Sequence, residues 1–154
     1  MISLTAQHDR PAYVLAEGLR ESAPAPTLRS AEPGGWARQE LLLRKLGPKG
    51  WVRVCLFRNY FASGWSENGH VLSPRAFAAF FRFVEYVTFP PSNRKPSVFL
   101  TDKGGIELCW EDPNGNAVQV EFTGAVAEYY RAATDQEGAV AFDELTELSR
   151  LLSA

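Results

Sequence analysis

Carboxylates crowd one short part of this sequence: Glu107, Glu111, Asp112, Glu121 and Glu128. Two carboxylates held close together can divide acid and base duties, or share a divalent cation. An acidic face can instead receive a basic protein, because complementary charge speeds and selects encounter. A hydrated face with screened repulsion accounts for the same residues without any function. Other reactive side chains are scarce. His8 and His70 are the only histidines, and Cys55 and Cys109 the only cysteines, with no CxxC. A nucleophilic site would have to use His70 with Cys55 or Glu67, and no GxSxG pattern supports one. HExxH, Walker and Rossmann glycine patterns are also missing, and "GPKG" lacks the Lys-Ser or Lys-Thr ending that holds phosphate and magnesium. No cofactor or metal is expected, and both thiols read as reduced and structural.

The element that must position the carboxylates is a β-hairpin. "GGIELCWEDPNGNAVQVEF" alternates apolar and polar residues on both sides of Asp112-Pro113-Asn114-Gly115. Pro113 suits the second position of a type I turn, and Gly115 the left-handed position after it. Pairing Asp112 with Asn116 fixes the register. Trp110 then faces Val118, Leu108 faces Val120 and Ile106 faces Phe122, and the agreement of these apolar pairs supports that register. The same register sets Glu107 directly opposite Glu121, and like charges so placed destabilise a sheet unless something relieves them. The outer face thus gathers Glu107, Glu111, Glu121 and Glu128, with Tyr130 at its edge.

Around the hairpin, "SVFLT" predicts a preceding strand and "AVAEYYRA" a fourth, completing a four-stranded antiparallel meander. The long helix expected to cover its apolar face runs over 73–88. Ser73 is its N-cap and Pro74 its first residue, and Phe77, Phe80, Phe81, Val84 and Val87 or Tyr86 form its apolar stripe. Pro90-Pro91 ends it. "WARQELLLRKL" suits a short helix stopped by Gly47-Pro48. "WVRVCLFRNYF" alternates like a strand yet also presents a helical face, with helix preferred. "FDELTELSRLL" is amphipathic, with Phe142, Leu145, Leu148 and Leu152 on one side and Asp143 and Glu144 favouring its N-terminal end. Residues 1–35, rich in proline and glycine without an apolar period, read as a flexible arm. The expected fold is α+β: an arm over 1–35, then a single domain over 36–154 in which the meander packs on one long helix with flanking helices.

The bulk properties narrow the function classes. At 154 residues, 45% apolar and 12% aromatic, the chain can bury a real core. With 16 basic and 18 acidic residues it carries a net charge of −2, which gives no general footprint for nucleic acid. "FRNYF" mixes arginine with aromatics, and Arg53, Arg58 and Arg82 are the residues a nucleic-acid reading would use. The N-terminus lacks a basic start followed by an apolar run, and no segment reaches membrane-helix length, so a cytoplasmic protein is expected. Trp110 belongs to the core. Trp36, Trp51 and Trp65 lie near glycines, and Trp65 is a candidate interface anchor.

Together "GW…LSPRAFAAFFRFVEYV…PSVFLTDKGGIELCWEDPNGNAVQVEF…EYY", over 64–130, resembles small uncharacterised bacterial proteins. They share a Gly-Trp loop, a helix opened by Ser-Pro, an FLTD-x-G turn and a Trp-Glu-Asp hairpin. The resemblance implies a bacterial or mobile-element origin and the helix-plus-hairpin architecture, and carries no catalytic residue with it. Antitoxins, immunity proteins and phage-encoded inhibitors are similarly compact, mildly acidic and free of active-site motifs. The leading expectation is therefore a module that binds and neutralises a protein partner with a basic surface. Its docking residues would be Glu107, Glu111, Glu121, Glu128, Trp65 and Tyr130. The alternative is a small hydrolase using Glu107 and Glu121, with or without a metal. A nucleic-acid-binding accessory is third.

Overall fold

The computed structural model describes residues 35–60 and 70–153. The arm, His8, Trp65 and Glu67 lie outside the described residues, as do the side chains of Trp36 and Arg58. Within them the fold is α+β, three helices on a five-stranded antiparallel sheet.

Helix α1, Gly35–Tyr60, is two helical segments joined at a kink. Gly47 sits at φ 71° and ψ 177°, a conformation reserved for glycine, and Pro48 opens the second segment with the φ that its ring prescribes. The expected stop at Gly47-Pro48 is thus a bend. The ambiguous stretch after it is helical. Val54 is buried while Val52 and Leu56 are exposed, a periodicity that a strand would not produce.

Helix α2, Pro74–Tyr86, begins where Ser73 Oγ accepts the Ala76 N–H at 3.3 Å. It is shorter than the 73–88 expected, because Val87 is already extended. The buried stripe also differs. Ala76, Ala79, Phe80, Phe83 and Val84 are fully covered, Phe77 is half-buried and Tyr86 is 54% exposed. Phe83, absent from the expected stripe, lies at its centre, 5.3 Å from the Phe122 ring and 6.3 Å from that of Trp110. Val87 rather than Tyr86 closes the stripe, just past the helix end.

The sheet runs in the order β1 to β5: Ser97–Leu100, Ile106–Glu111, Ala117–Phe122, Val126–Arg131 and Gln136–Ala141. The β2–β3 register is the one that the turn predicts, with Trp110 opposite Val118 and Glu107 opposite Glu121. Asp112 explains why. Its carboxylate accepts the N–H groups of Asn114 and Asn116, both at 2.8 Å, and its own N–H reaches Asn116 O at 2.8 Å. The Asn116 side-chain amide, which donates to both carboxylate oxygens at 3.2 and 3.0 Å, and then the backbone N–H groups favour the anion and hold the Asp112 carboxyl below its ordinary pKa. The four-stranded expectation is corrected by β5. It returns from β4 through a 3₁₀ turn at Ala132–Thr134 and a left-handed Asp135 (φ 46°), and its small side chains gave no alternation to detect.

Helix α3, Leu145–Leu152, lies beside α2, with Leu145, Leu148 and Leu152 buried. Phe142 precedes it in a 3₁₀ turn and is half-buried. The core fills the space between these helices and the inner sheet face of Val98, Ile106, Leu108, Val120 and Phe122. Helix α1 contributes Leu42, Leu46 and Val54 to it. Two cations fasten α1. Lys45 Nζ donates to the carbonyls of Glu85 and Val87, and Arg53 donates to Val98 O at 3.1 Å. One sheet face is thereby buried and the other left to solvent, the usual state of an antiparallel sheet.

Candidate functional site

The outer face is laid out by register. Phe99, Glu107, Glu121, Glu128 and Ala139 stand directly opposite one another across all five strands. The carboxylate pair foreseen from the hairpin is therefore three abreast. The neighbouring row is Ser97, Cys109, Gln119, Tyr130 and Glu137. Directly opposed side chains in a sheet leave their Cβ atoms about 5 Å apart, so the charges of one row feel each other.

Among the described residues no cation pairs with any of the three. Among the described residues the ion pairs are Arg94 with Glu111 at 3.4 Å and Arg150 with Glu147 at 2.6 Å. Neither touches Glu107, Glu121, Glu128 or Glu137. Glu111 stands apart from the row. It faces Ala117 at the hairpin end, and its ion pair is exposed enough to contribute little. Tyr130 is 37% exposed and its hydroxyl donates to Asp135 Oδ1 at 3.4 Å. Glu137, which the sequence reading did not include, joins the face because β5 exists.

A shallow depression of about 550 Å³ opens on this face over β3, β4 and β5. Glu121, Glu128, Tyr130, Glu137 and Ala139 are among the residues that line it. On this side the carboxylate row ends at the methyl group of Ala139, where β5 passes. The lining of the depression carries three carboxylates, Gln119, Tyr129 and Tyr130, a chemistry suited to a cationic side chain.

The half-buried thiol on this face is bound to the carboxylate row. Cys109 Sγ donates to Glu107 Oε1 at 3.0 Å. Burial, that hydrogen bond and the carboxylate charge push the thiol up to about 12, so it stays protonated at neutral pH. The bond gives Glu107 one donor and leaves its charge uncompensated. His70 is exposed in a loop whose backbone N–H bonds Asp102 O at 2.9 Å.

A second concavity, of about 650 Å³, lies between α1 and the segment after α2, and collects Arg44, Lys45, Arg94 and Lys95. Two of its cations serve helix ends. Lys45 holds the last carbonyls of α2, and Lys95 Nζ donates to Arg44 O at 3.4 Å, just before the kink in α1. Burial foremost, then the neighbouring Arg44, lowers the Lys45 pKa, against the pull of Glu85. Sequence reasoning missed this cleft, since its lysines lie far apart along the chain and carry no motif.

Of the arginines considered for nucleic acid, Arg53 is occupied with Val98 O and lies 5.2 Å over the Phe99 ring. Among the described residues, no group of three His, Cys, Asp or Glu side chains could hold a metal ion. No described helix is long and apolar enough to cross a membrane. No protein-family model matches the chain, and neither a curated protein nor a solved structure resembles it significantly. No family is therefore assigned, and the case for function rests on the residues themselves.

Proposed function

We propose that this chain is a protein-binding module whose acidic outer sheet face docks a partner with a basic surface, and that docking neutralises the partner. One observation carries the reading: Glu107, Glu121 and Glu128 stand in one row with no described cation paired to any of them. A sheet tolerates such a row at a cost in stability, and residues that lower stability are retained where they serve binding. A basic partner would supply the missing counter-charges, and its own basic groups would be masked in return. Tyr130 beside the row offers an aromatic contact that rigid interfaces favour.

The test is charge reversal. A double variant, Glu107→Lys with Glu121→Lys, should keep the far-ultraviolet circular dichroism of the native chain. It should also lose the partner that the native chain retains from extracts of its host. Recovery of the same partner by both proteins would remove the acidic face from consideration.

A further inference from the structure

The two edges of the sheet are treated differently. At β1 the edge is four residues long, and Arg53 of α1 occupies the outward carbonyl of Val98. At β5 the edge is six residues long, and among the described residues no element pairs with its free side. Such an edge is a template for another strand, which proteins usually blunt with lysine, proline or a cover. The sequence of β5, QEGAVA, has neither lysine nor proline.

The pairing with β4 shows which backbone groups are free. A four-residue loop closes at the pair Arg131 and Gln136, so Gln136, Gly138 and Val140 turn their amides and carbonyls toward β4. Glu137, Ala139 and Ala141 turn theirs outward. The Ala141 N–H confirms the parity, since it donates to Glu144 Oε2 at 3.3 Å instead of to the ladder. No other described group bonds the N–H or C=O of Glu137 or Ala139. These two residues also carry their side chains on the acidic face. Free backbone and acidic side chains therefore address the same visitor.

We propose that β5 accepts an extended segment of a protein partner as an antiparallel sixth strand, one that carries lysine or arginine at alternate positions. The inference rests on the acidic face being a docking surface and names what docks there. A residue in a hydrogen-bonded pair with Ala139 continues the row of Glu107, Glu121 and Glu128. It stands about 10 Å, two strand spacings, from Glu128. Only a methyl group lies between, so a long cationic side chain crosses Ala139 into the depression, to Glu128 and Tyr130. The next outward residue of the visitor lies opposite Glu137. Backbone bonds supply affinity in this mode and the alternate side chains supply specificity.

The probe is a synthetic peptide, TKVKVKT, titrated into the full chain at low salt and followed by amide chemical shifts. Its controls are TVKKKVT, of equal charge, and two N-methylated forms of TKVKVKT, one at the lysines and one at the valines. In the proposed geometry the lysine amides face β5. The alternating peptide should bind about tenfold tighter than TVKKKVT, as expected for the loss of a few backbone bonds. Methylation at the lysines should abolish the difference, and methylation at the valines should preserve it. Ala139→Pro removes an amide that the ladder does not use, and should weaken the alternating peptide by a similar factor. Equal binding of both peptides, still sensitive to Glu107→Lys and Glu121→Lys, would overturn the added strand and keep the acidic docking face. Binding of neither would overturn both. Sensitivity to valine methylation would overturn the antiparallel register. A concentration-dependent dimer lost in Ala139→Pro would assign the edge to a second copy instead.

Discussion

Glu121 is the middle member of the carboxylate row, opposed by Glu107 on one side and Glu128 on the other. Replacing it with glutamine removes two like-charge contacts and keeps the shape of the side chain. Each contact is worth roughly 0.2–1 kcal/mol, so Glu121→Gln should stabilise the fold by about 1 kcal/mol at low ionic strength. For a domain of this size that is a rise in Tm of about 2–4 °C. Glu121→Lys should gain more, because two repulsions become two attractions. Thermal unfolding followed by circular dichroism tests both, and salt is the decisive variable. The screening length is about 30 Å in 10 mM salt and about 3 Å in 1 M, so the gains should shrink to near zero at the higher concentration. Glu111→Gln is the control. Glu111 faces Ala117 and pairs with Arg94, so its loss should leave Tm unchanged or slightly lower. A fall in Tm for Glu121→Gln in low salt would refute the claim that the row is unrelieved. A gain of equal size in 1 M salt would place its origin in desolvation rather than in charge.

Three further outcomes test the frame that holds this face. Phe83→Ala, at the fully buried contact of α2 with Trp110 and Phe122, should cost about 3–5 kcal/mol, read from denaturant midpoints. Gly104 has φ +78°, and a Cβ there would strike the Val71 carbonyl oxygen, while its own carbonyl accepts the Ser73 N–H at 2.8 Å. Gly104→Ala should therefore cost about 3 kcal/mol by the same measurement, loosening the β1–β2 turn from the start of α2. Cys109 should resist alkylation. A rise from an ordinary 9.0 to about 12 leaves about a thousandfold less thiolate near pH 8, and Glu107→Gln should restore part of it, read by mass spectrometry of the labelled peptide. The folded thiol keeps its proton where the unfolded thiol releases it. Its contribution to stability is whole below pH 9 and drains as pH rises from 9 toward 12, so Cys109→Ala should flatten that alkaline decline.

The legible parts of the fold were those where local chemistry leaves one solution. Asp112-Pro113-Asn114-Gly115 admits one kind of turn, and that turn carries the register and the opposition of Glu107 with Glu121. Ser73-Pro74 marks a helix start in the same direct way. Phe83 was not legible, because an aromatic-rich run such as "FAAFFRF" supports more than one apolar stripe, and only the sheet beneath decides between them. Tyr86 and Val87 pose the same problem at the helix end, where the chain straightens early and turns Val87 inward. β5 was hidden for a different reason. Gly138, Ala139 and Ala141 are poor strand formers by composition, and their strand is dictated by β4 already being in place.

That hidden strand changes what the acidic cluster means. Within the hairpin alone, Glu107 and Glu121 are a local conflict that any nearby lysine could settle. Across five strands the row passes from Glu107 to Glu128 without meeting a cation among the described residues, and then ends at Ala139 on an open edge. The cations that the fold does employ are committed elsewhere, Lys45 and Lys95 to helix ends and Arg53 to the β1 edge. A chain selected only for stability would gain from placing one of them at position 121 or 128. It would also gain from covering β5, whose free side no described element pairs, as Arg53 engages the outward carbonyl of β1. The first omission lies on the outer face and the second on the edge strand beside it, and the two meet at Glu137 and Ala139, where outward backbone groups adjoin the acidic face. Independent surface accidents would not be expected to share an address, whereas a single ligand with an extended backbone and alternate basic side chains requires that they do.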